Sequence, residues 1–239
     1  MKRNLIVLSC LLVLLAFNGS QAMAVDVYGE GAYSDTNKDV QVCIYADIDG
    51  SQALRSFGVK LIYDPGELNY ISSTKNDGVW YLKDEGGDLH KYGDPEDVGG
   101  AVVIIGGVLD PNANPDKVSG NRVLLGTVWF ARPSGSGPLT HDLTLELGKD
   151  APYANFVVGP NPADVLDLIG VTFIDHGDGA AKVKVRERGD ANGDHFITSA
   201  DMFAIQSLIG GNMYKCFADC NADGYMTSAD MFCVSNKIN

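Results

Sequence analysis

Asp190-Ala-Asn-Gly-Asp-His-Phe-Ile-Thr-Ser-Ala-Asp201 returns 29 residues later as Asp219-Cys-Asn-Ala-Asp-Gly-Tyr-Met-Thr-Ser-Ala-Asp230, and each copy runs on into Met-Phe. Oxygen-bearing side chains stand at positions 1, 3, 5, 9 and 12 of both copies. They are Asp190, Asn192, Asp194, Thr198 and Asp201 in the first, and Asp219, Asn221, Asp223, Thr227 and Asp230 in the second. With this spacing a twelve-residue loop can wrap a hard cation, the residue at position 7, Phe196 or Tyr225, adding its carbonyl. Asp, Asn and Gly also crowd ordinary turns, but two loops in register predict paired Ca2+ sites, two ions in all.

Two departures from the EF-hand pattern carry information. Position 12 is Asp in both loops where that pattern has Glu, which shortens the carboxylate and implies modest affinity. Position 6 is Gly224 in the second loop but His195 in the first, and the turn there favours positive φ. The first site is therefore expected to be the weaker.

No helix-length amphipathic segment precedes either loop. Met202-Phe203-x-Ile205-x-x-Leu208-Ile209 follows the first at helical spacing, and the shorter Met231-Phe232-x-Val234 follows the second. A loop-then-helix unit duplicated in this way resembles the dockerin module of cellulosome-type systems, over residues 186–239. The resemblance implies a docking piece whose partner is a cohesin-like domain, on another chain or on another copy of this one. It assigns the partner surface to loop positions 10 and 11 and the helix beyond, here Ser199-Ala200 and Ser228-Ala229. Where that family often has basic residues further along the helix, this chain has Gln206 and Ser207, then Ser235 and Asn236. Because the two halves are near copies, the resemblance also implies that family's ability to bind in two orientations.

At the other end, Met1-Lys-Arg-Asn is a basic n-region, Leu5 to Phe17 an apolar run and Ala22-Met-Ala24 a small-residue cleavage site, which predicts a signal peptide over 1–24. The run is too short to span a bilayer, and no other approaches about 20 residues, so no membrane span is expected. The formal charge is −13, and loss of Lys2 and Arg3 with the leader makes it more negative. That makes nucleic acid and anionic membranes poor partners and fits a secreted, extracellular, cation-binding chain, with cell-surface association as one setting. Four cysteines remain: Cys43, Cys216, Cys220 and Cys233. In an oxidising compartment a staple is expected between Cys233 and either Cys216 or Cys220, the third cysteine staying free, pairing with Cys43 or linking chains.

Between Val25 and Val185 the pattern changes to short period-two runs broken by Gly, Pro, Asn and Asp. Strands are predicted at Val40–Ala46, Phe57–Tyr63, Val102–Gly106, Val123–Phe130, Leu143–Leu147, Val171–Ile174 and Ala181–Val185. The fold class is thus mainly β: a two-sheet β-sandwich or jelly roll over 25–185, followed by a small α-helical module with paired EF-hand-like loops over 186–239. Alternation predicts Val40, Val42, Ile44 and Ala46, and likewise Phe57, Val59, Leu61 and Tyr63, as core. The order of features, with Ala53 to Pro65, Leu125 to Phe130 and a closing Gly-Val-Thr-Phe, resembles a cohesin-type or carbohydrate-binding-module-type sandwich. Asp110 to Asp116 and Asp35 to Asp39 lack a carboxylate at the twelfth position and read as turns. Arg186-Glu-Arg-Gly189 reads as a linker spanning under roughly 18 Å when extended, too short for the chain's own module to reach its own sandwich face.

No catalytic set stands out. Glu30, Glu67, Glu85, Glu96 and Glu146 form no recognisable acid and base pair, and His90, His141 and His176 have no nucleophile context. The expected protein is a non-enzymatic assembly component of a polysaccharide-related complex, docking through a calcium-loaded module, with head-to-tail filaments as one outcome. The alternative is carbohydrate binding, as a free-standing protein or as an accessory to a degrading enzyme, for which Trp80 and Tyr81 are the candidate exposed rings.

Overall fold

The computed structural model describes residues 25–238, except 84–88, 91–93, 109–116, 134–142, 149–155, 158–164, 167–170 and 174–181. The expected leader, the Asp110 to Asp116 turn, Glu85, His141 and His176 lie outside the described residues.

The strands are β1 (Val25–Ser34), β2 (Asp39–Ile48), β3 (Ser56–Ile62), β4 (Asn69–Lys75), β5 (Leu82–Lys83), β6 (Leu89–His90), β7 (Glu96–Asp97), β8 (Ala101–Gly107), β9 (Gly120–Ala131), β10 (Leu143–Leu147), β11 (Phe156–Val157), β12 (Val165–Leu166), β13 (Val171–Phe173) and β14 (Lys182–Glu187). One layer runs β4-β9-β2-β1, and the other joins β7-β8-β3-β10 with β11-β12 beside β3. β14 belongs to both. Its first residues, Lys182 and Val183, pair antiparallel with β10, and Lys184–Glu187 then pair parallel with Glu30–Tyr33 of β1. All seven sequence-predicted strands are present. β1, β4 and the two-residue strands β5, β6, β7, β11 and β12 were not read from the sequence.

β1 hides because its interior carries Gly29, Glu30 and Gly31. The glycines are required by close approach: a Cβ at Gly29 would run into the Val183 side chain, and one at Gly31 into Val185. Glu30 is buried because Arg122 reaches it with two hydrogen bonds, 2.8 and 2.9 Å long.

The sandwich core contains every residue that alternation assigned to it, from Val40, Val42, Ile44 and Ala46 to Phe57, Val59, Leu61 and Tyr63. Trp80 lies in this core as well, 1% exposed, its Nε1 donating to the Leu124 carbonyl at 3.1 Å and its ring edge-on to Phe57. Its expected role as an exposed sugar platform is therefore corrected. Tyr81 is half-buried against the same core.

Two helices, α1 (Ser199–Gly210) and α2 (Ser228–Ile238), close the chain. Ile205 and Val234, equivalent in the repeat, are fully buried between them together with Ala191, Phe217, Ala218 and Cys220. Ala32 of β1 completes this small core, so the helical module does not hang free.

The expected linker is corrected too. Arg186 and Glu187 still belong to β14, and Arg188 is 1% exposed. Arg188 donates its backbone N–H to Tyr33, Nη1 to Gln41 at 3.1 Å and Nη2 to Asp39 at 3.4 Å. A disulfide between Cys43 and Cys216 ties β2 to the module, and Cys220–Cys233 staples the second loop to α2. All four cysteines among the described residues are therefore paired. Among the described residues no helix is long and apolar enough to cross a membrane.

Candidate metal centre and docking face

Each loop is shaped by hydrogen bonds onto its own carboxylates. Asp190 accepts from the N–H groups of Gly193, Asp194 and His195 at 2.7, 3.1 and 3.2 Å. Asp194 takes the N–H of Phe196 and the amide of Asn192. Asp201 accepts from Asn192 at 3.0 Å and from Thr198 at 2.8 Å. The second loop repeats the scheme with Asp219, Asn221, Asp223, Thr227 and Asp230. Positions 1, 3, 5 and 12 thus sit in one network in each loop, with no cluster of three or more Asp, Glu, His or Cys side chains drawn together among the described residues.

Positions 9 and 12 also begin the helices. Thr198 is the N-cap of α1, and Asp201 completes a capping box by accepting the Thr198 N–H. Thr227 and Asp230 make the matching bonds at α2. A residue set that would hold a cation therefore also fixes where each helix starts and which way it points.

The electrostatics leave room for positive charge. Asp190, Asp201, Asp219 and Asp230 are at most 1% exposed. No Lys, Arg or His forms an ion pair with any of them among the described residues. N–H donors offset part of the desolvation cost, but a buried carboxylate without a cation is expensive. Burial pushes the Asp230 carboxyl above its usual range; hydrogen bonds from Thr227 and Asn221 pull it back, and the charges of Asp219 and Asp223 push it further up. Oxygen-only donors, carboxylate-rich and buried at positions 1 and 12, fit a hard divalent cation.

Backbone strain is shared between the loops. His195 at position 6 has φ 69°, as its place in the turn requires, and Gly224 has φ 84°. Position 4 is also left-handed, and there the residues are exchanged: Gly193 at 80° in the first loop, Ala222 at 60° in the second. Each loop carries one non-glycine in this region, and His tolerates it better than Ala. The expectation of a weaker first loop loses its basis.

Ser199, Ala200, Ser228 and Ala229 are all exposed at the helix starts. Beside them stand Phe203 and Phe232, each 69% exposed and related by the repeat. Sequence reasoning placed both among the apolar residues of the helices. Their recurrence two positions before the buried Ile205 and Val234 was the signal that marks them as a surface pair.

Tyr214 was also missed. Its hydroxyl donates to Asp219 at 2.9 Å, and burial, then the Asp219 charge, keeps it protonated. Among the carboxylates weighed for catalysis, Glu30 is held by Arg122, and Asp35 of the β1–β2 turn, read as a plain turn, faces Arg132 at 3.2 Å.

This geometry defines a β-sandwich protein with a seated C-terminal module of duplicated acidic-loop and helix units. Residues 188–239 match the family model described as the dockerin type I domain. Among solved structures, the chain is similar to a Clostridium thermocellum type I cohesin-dockerin complex (13% identity, 70% of this chain and 97% of that chain, TM-score 0.43). It is also similar to the seventh ScaB type I cohesin of Pseudobacteroides cellulosolvens (13%, 69% and 88%, 0.38) and a non-cellulosomal cohesin of Archaeoglobus fulgidus (17%, 69% and 84%, 0.32). No curated protein matches the sequence.

Proposed function

We propose that this is an exported, non-catalytic assembly protein whose dockerin-type module, folded around two calcium ions, docks onto a cohesin-like domain. The observation that carries the reading is the pair of repeat-related faces, Ser199, Ala200 and Phe203 on one helix and Ser228, Ala229 and Phe232 on the other. Both faces are exposed in the folded chain, which supports an intermolecular partner. That partner is a cohesin-like domain on another chain or on a second copy, the latter giving head-to-tail assembly. Asp190, Asn192, Asp194, Thr198, Asp201 and the Phe196 carbonyl would hold one ion. Asp219, Asn221, Asp223, Thr227, Asp230 and the Tyr225 carbonyl would hold the other. Calcium supplies the positive charge that the buried carboxylates lack, and the capping bonds then present the two faces.

Surface plasmon resonance on immobilised type I cohesin domains tests this, with and without chelator. A Phe ring offers on the order of 100–150 Å2 to a partner, about 3 kcal/mol at about 25 cal/mol per Å2. Because either face can dock, Phe203→Ala or Phe232→Ala alone should cost about twofold, and the double variant at least about 30-fold. Binding that ignores both calcium and the double substitution would overturn the reading. Sedimentation of the chain alone, with and without calcium, separates self-assembly from binding to a different chain.

The carbohydrate reading moves to another place. A cleft of about 780 Å3 opens where the module meets the outer face of β2, β9 and β4, lined among others by Tyr45, Trp129, Thr74, Thr127 and Tyr214. Rings beside hydroxyl and amide groups, with Arg122 and Asp223 also in the lining, favour a glycan there. Retardation in polysaccharide gels, lost in Trp129→Ala, would support it.

A further inference from the structure

Tyr214 lies outside both twelve-residue frames, yet it touches a first-position carboxylate. The two loops differ here. Asp190 takes all three of its hydrogen bonds from N–H groups of its own loop, those of Gly193, Asp194 and His195. Asp219 takes two from its loop, Asp223 at 3.2 Å and Gly224 at 2.8 Å, and the third from the Tyr214 hydroxyl.

The position of that hydroxyl is set by the sandwich. The Tyr214 carbonyl accepts from Arg122 Nη2 at 3.0 Å. Arg122 is itself fixed by its two bonds to Glu30 and by its backbone N–H on Asp47 at 2.6 Å. The Tyr214 ring packs against the cluster of Tyr28, Cys43, Tyr45 and Cys216, and Cys216, two residues on, is covalently bound to Cys43 of β2. A continuous path of contacts therefore runs from β1, β2 and β9 to the first donor of the second loop, and among the described residues nothing equivalent bonds to Asp190.

We propose that Tyr214 is a positioning residue for the second cation loop, and that through it the affinity of this loop, but not of the first, depends on the seat of the module against the sandwich. The inference rests on the calcium reading above. A carboxylate has about four acceptor sites. Three fixed donors hold Asp219 in one orientation and leave acceptor capacity for the ion. Loss of an outer partner of a ligating group typically lowers metal affinity about 10–100-fold. The coupling is reciprocal: an ion in the second loop also strengthens the hold of the module on the sandwich.

Calorimetric titration of the full chain with Ca2+ after chelation tests this. Asp194→Ala isolates the second loop, and Asp223→Ala isolates the first. Tyr214→Phe keeps the ring and the carbonyl that Arg122 holds. It should weaken the isolated second loop at least about tenfold and leave the isolated first loop within about twofold. Cys43→Ser/Cys216→Ser, which releases the seat by a different route, should shift the same loop in the same direction. An unchanged second loop in both variants, or equal weakening of both loops, overturns the inference while leaving calcium binding intact. A parent chain that takes up no calcium overturns the calcium reading and this inference together.

Discussion

Replacing Arg188 by Met keeps most of the side-chain volume and removes the charge that seats the module. The loss can be bounded from its contacts. Arg188 gives one hydrogen bond to Gln41 at 3.1 Å, a longer one to Asp39 at 3.4 Å, and lies 5.3 Å from the centre of the Trp129 ring. Breaking a buried pair costs about 3–5 kcal/mol because the partner charge is stranded. Asp39 retains 18% side-chain exposure, which lowers that figure. Arg188 Nε and Asp39 Oδ1 are buried without a hydrogen bond among the described residues, so the substitution also relieves a cost already present. The balance is a loss of about 2–3 kcal/mol. For a protein of this size that lowers Tm by about 5–10 °C, read by scanning calorimetry in calcium. Adding Asp39→Asn removes the stranded charge and should recover at least half of the loss, a coupling that a double-mutant cycle isolates. A single variant that melts with the parent, or a double variant that melts below the single, would refute a module seated by this pair.

Ala222→Gly removes the non-glycine residue from a left-handed position in the second loop and should stabilise the calcium-loaded protein by about 1 kcal/mol; His195→Gly should gain less, because His is better tolerated there, and paired thermal melts compare them. The raised Asp230 carboxyl means that, in chelator, the folded state binds that proton more tightly than the unfolded chain, whose value is 3.8. The contribution favours folding below that value and is lost as pH rises through the folded one. Asp230→Asn should therefore raise Tm at neutral pH in chelator and lower it in calcium, and melts that move the same way in both buffers would contradict the assignment.

The paired acidic loops of the dockerin-type module were legible because their pattern is local: twelve consecutive residues carry it, and duplication removes the ambiguity of a single acidic turn. The strands of the sandwich were legible where alternation is clean, as in β2 and β3. What escaped depends on distant partners. Glu30 reads as an exposed polar residue until Arg122, 92 residues away, is brought beside it. Trp80 stands between a turn and a glycine-rich stretch and reads as exposed, but Phe57 and the Leu124 carbonyl claim its ring and its N–H. Arg186-Glu-Arg-Gly189 has the composition of a tether, and only the placement of Gln41 and Asp39 on β2 turns it into an anchor. The choice among cysteine pairings was open for the same reason: Cys43 is separated from Cys216 by 173 residues.

The most direct measurement is a calcium titration of chelated full-length protein, followed together by calorimetric stoichiometry and far-ultraviolet circular dichroism. Two ions taken up per chain, with helical signal rising as they bind, is the expected result. No uptake, or uptake that leaves the helical signal where the chelated protein had it, would contradict a module built around paired cation loops.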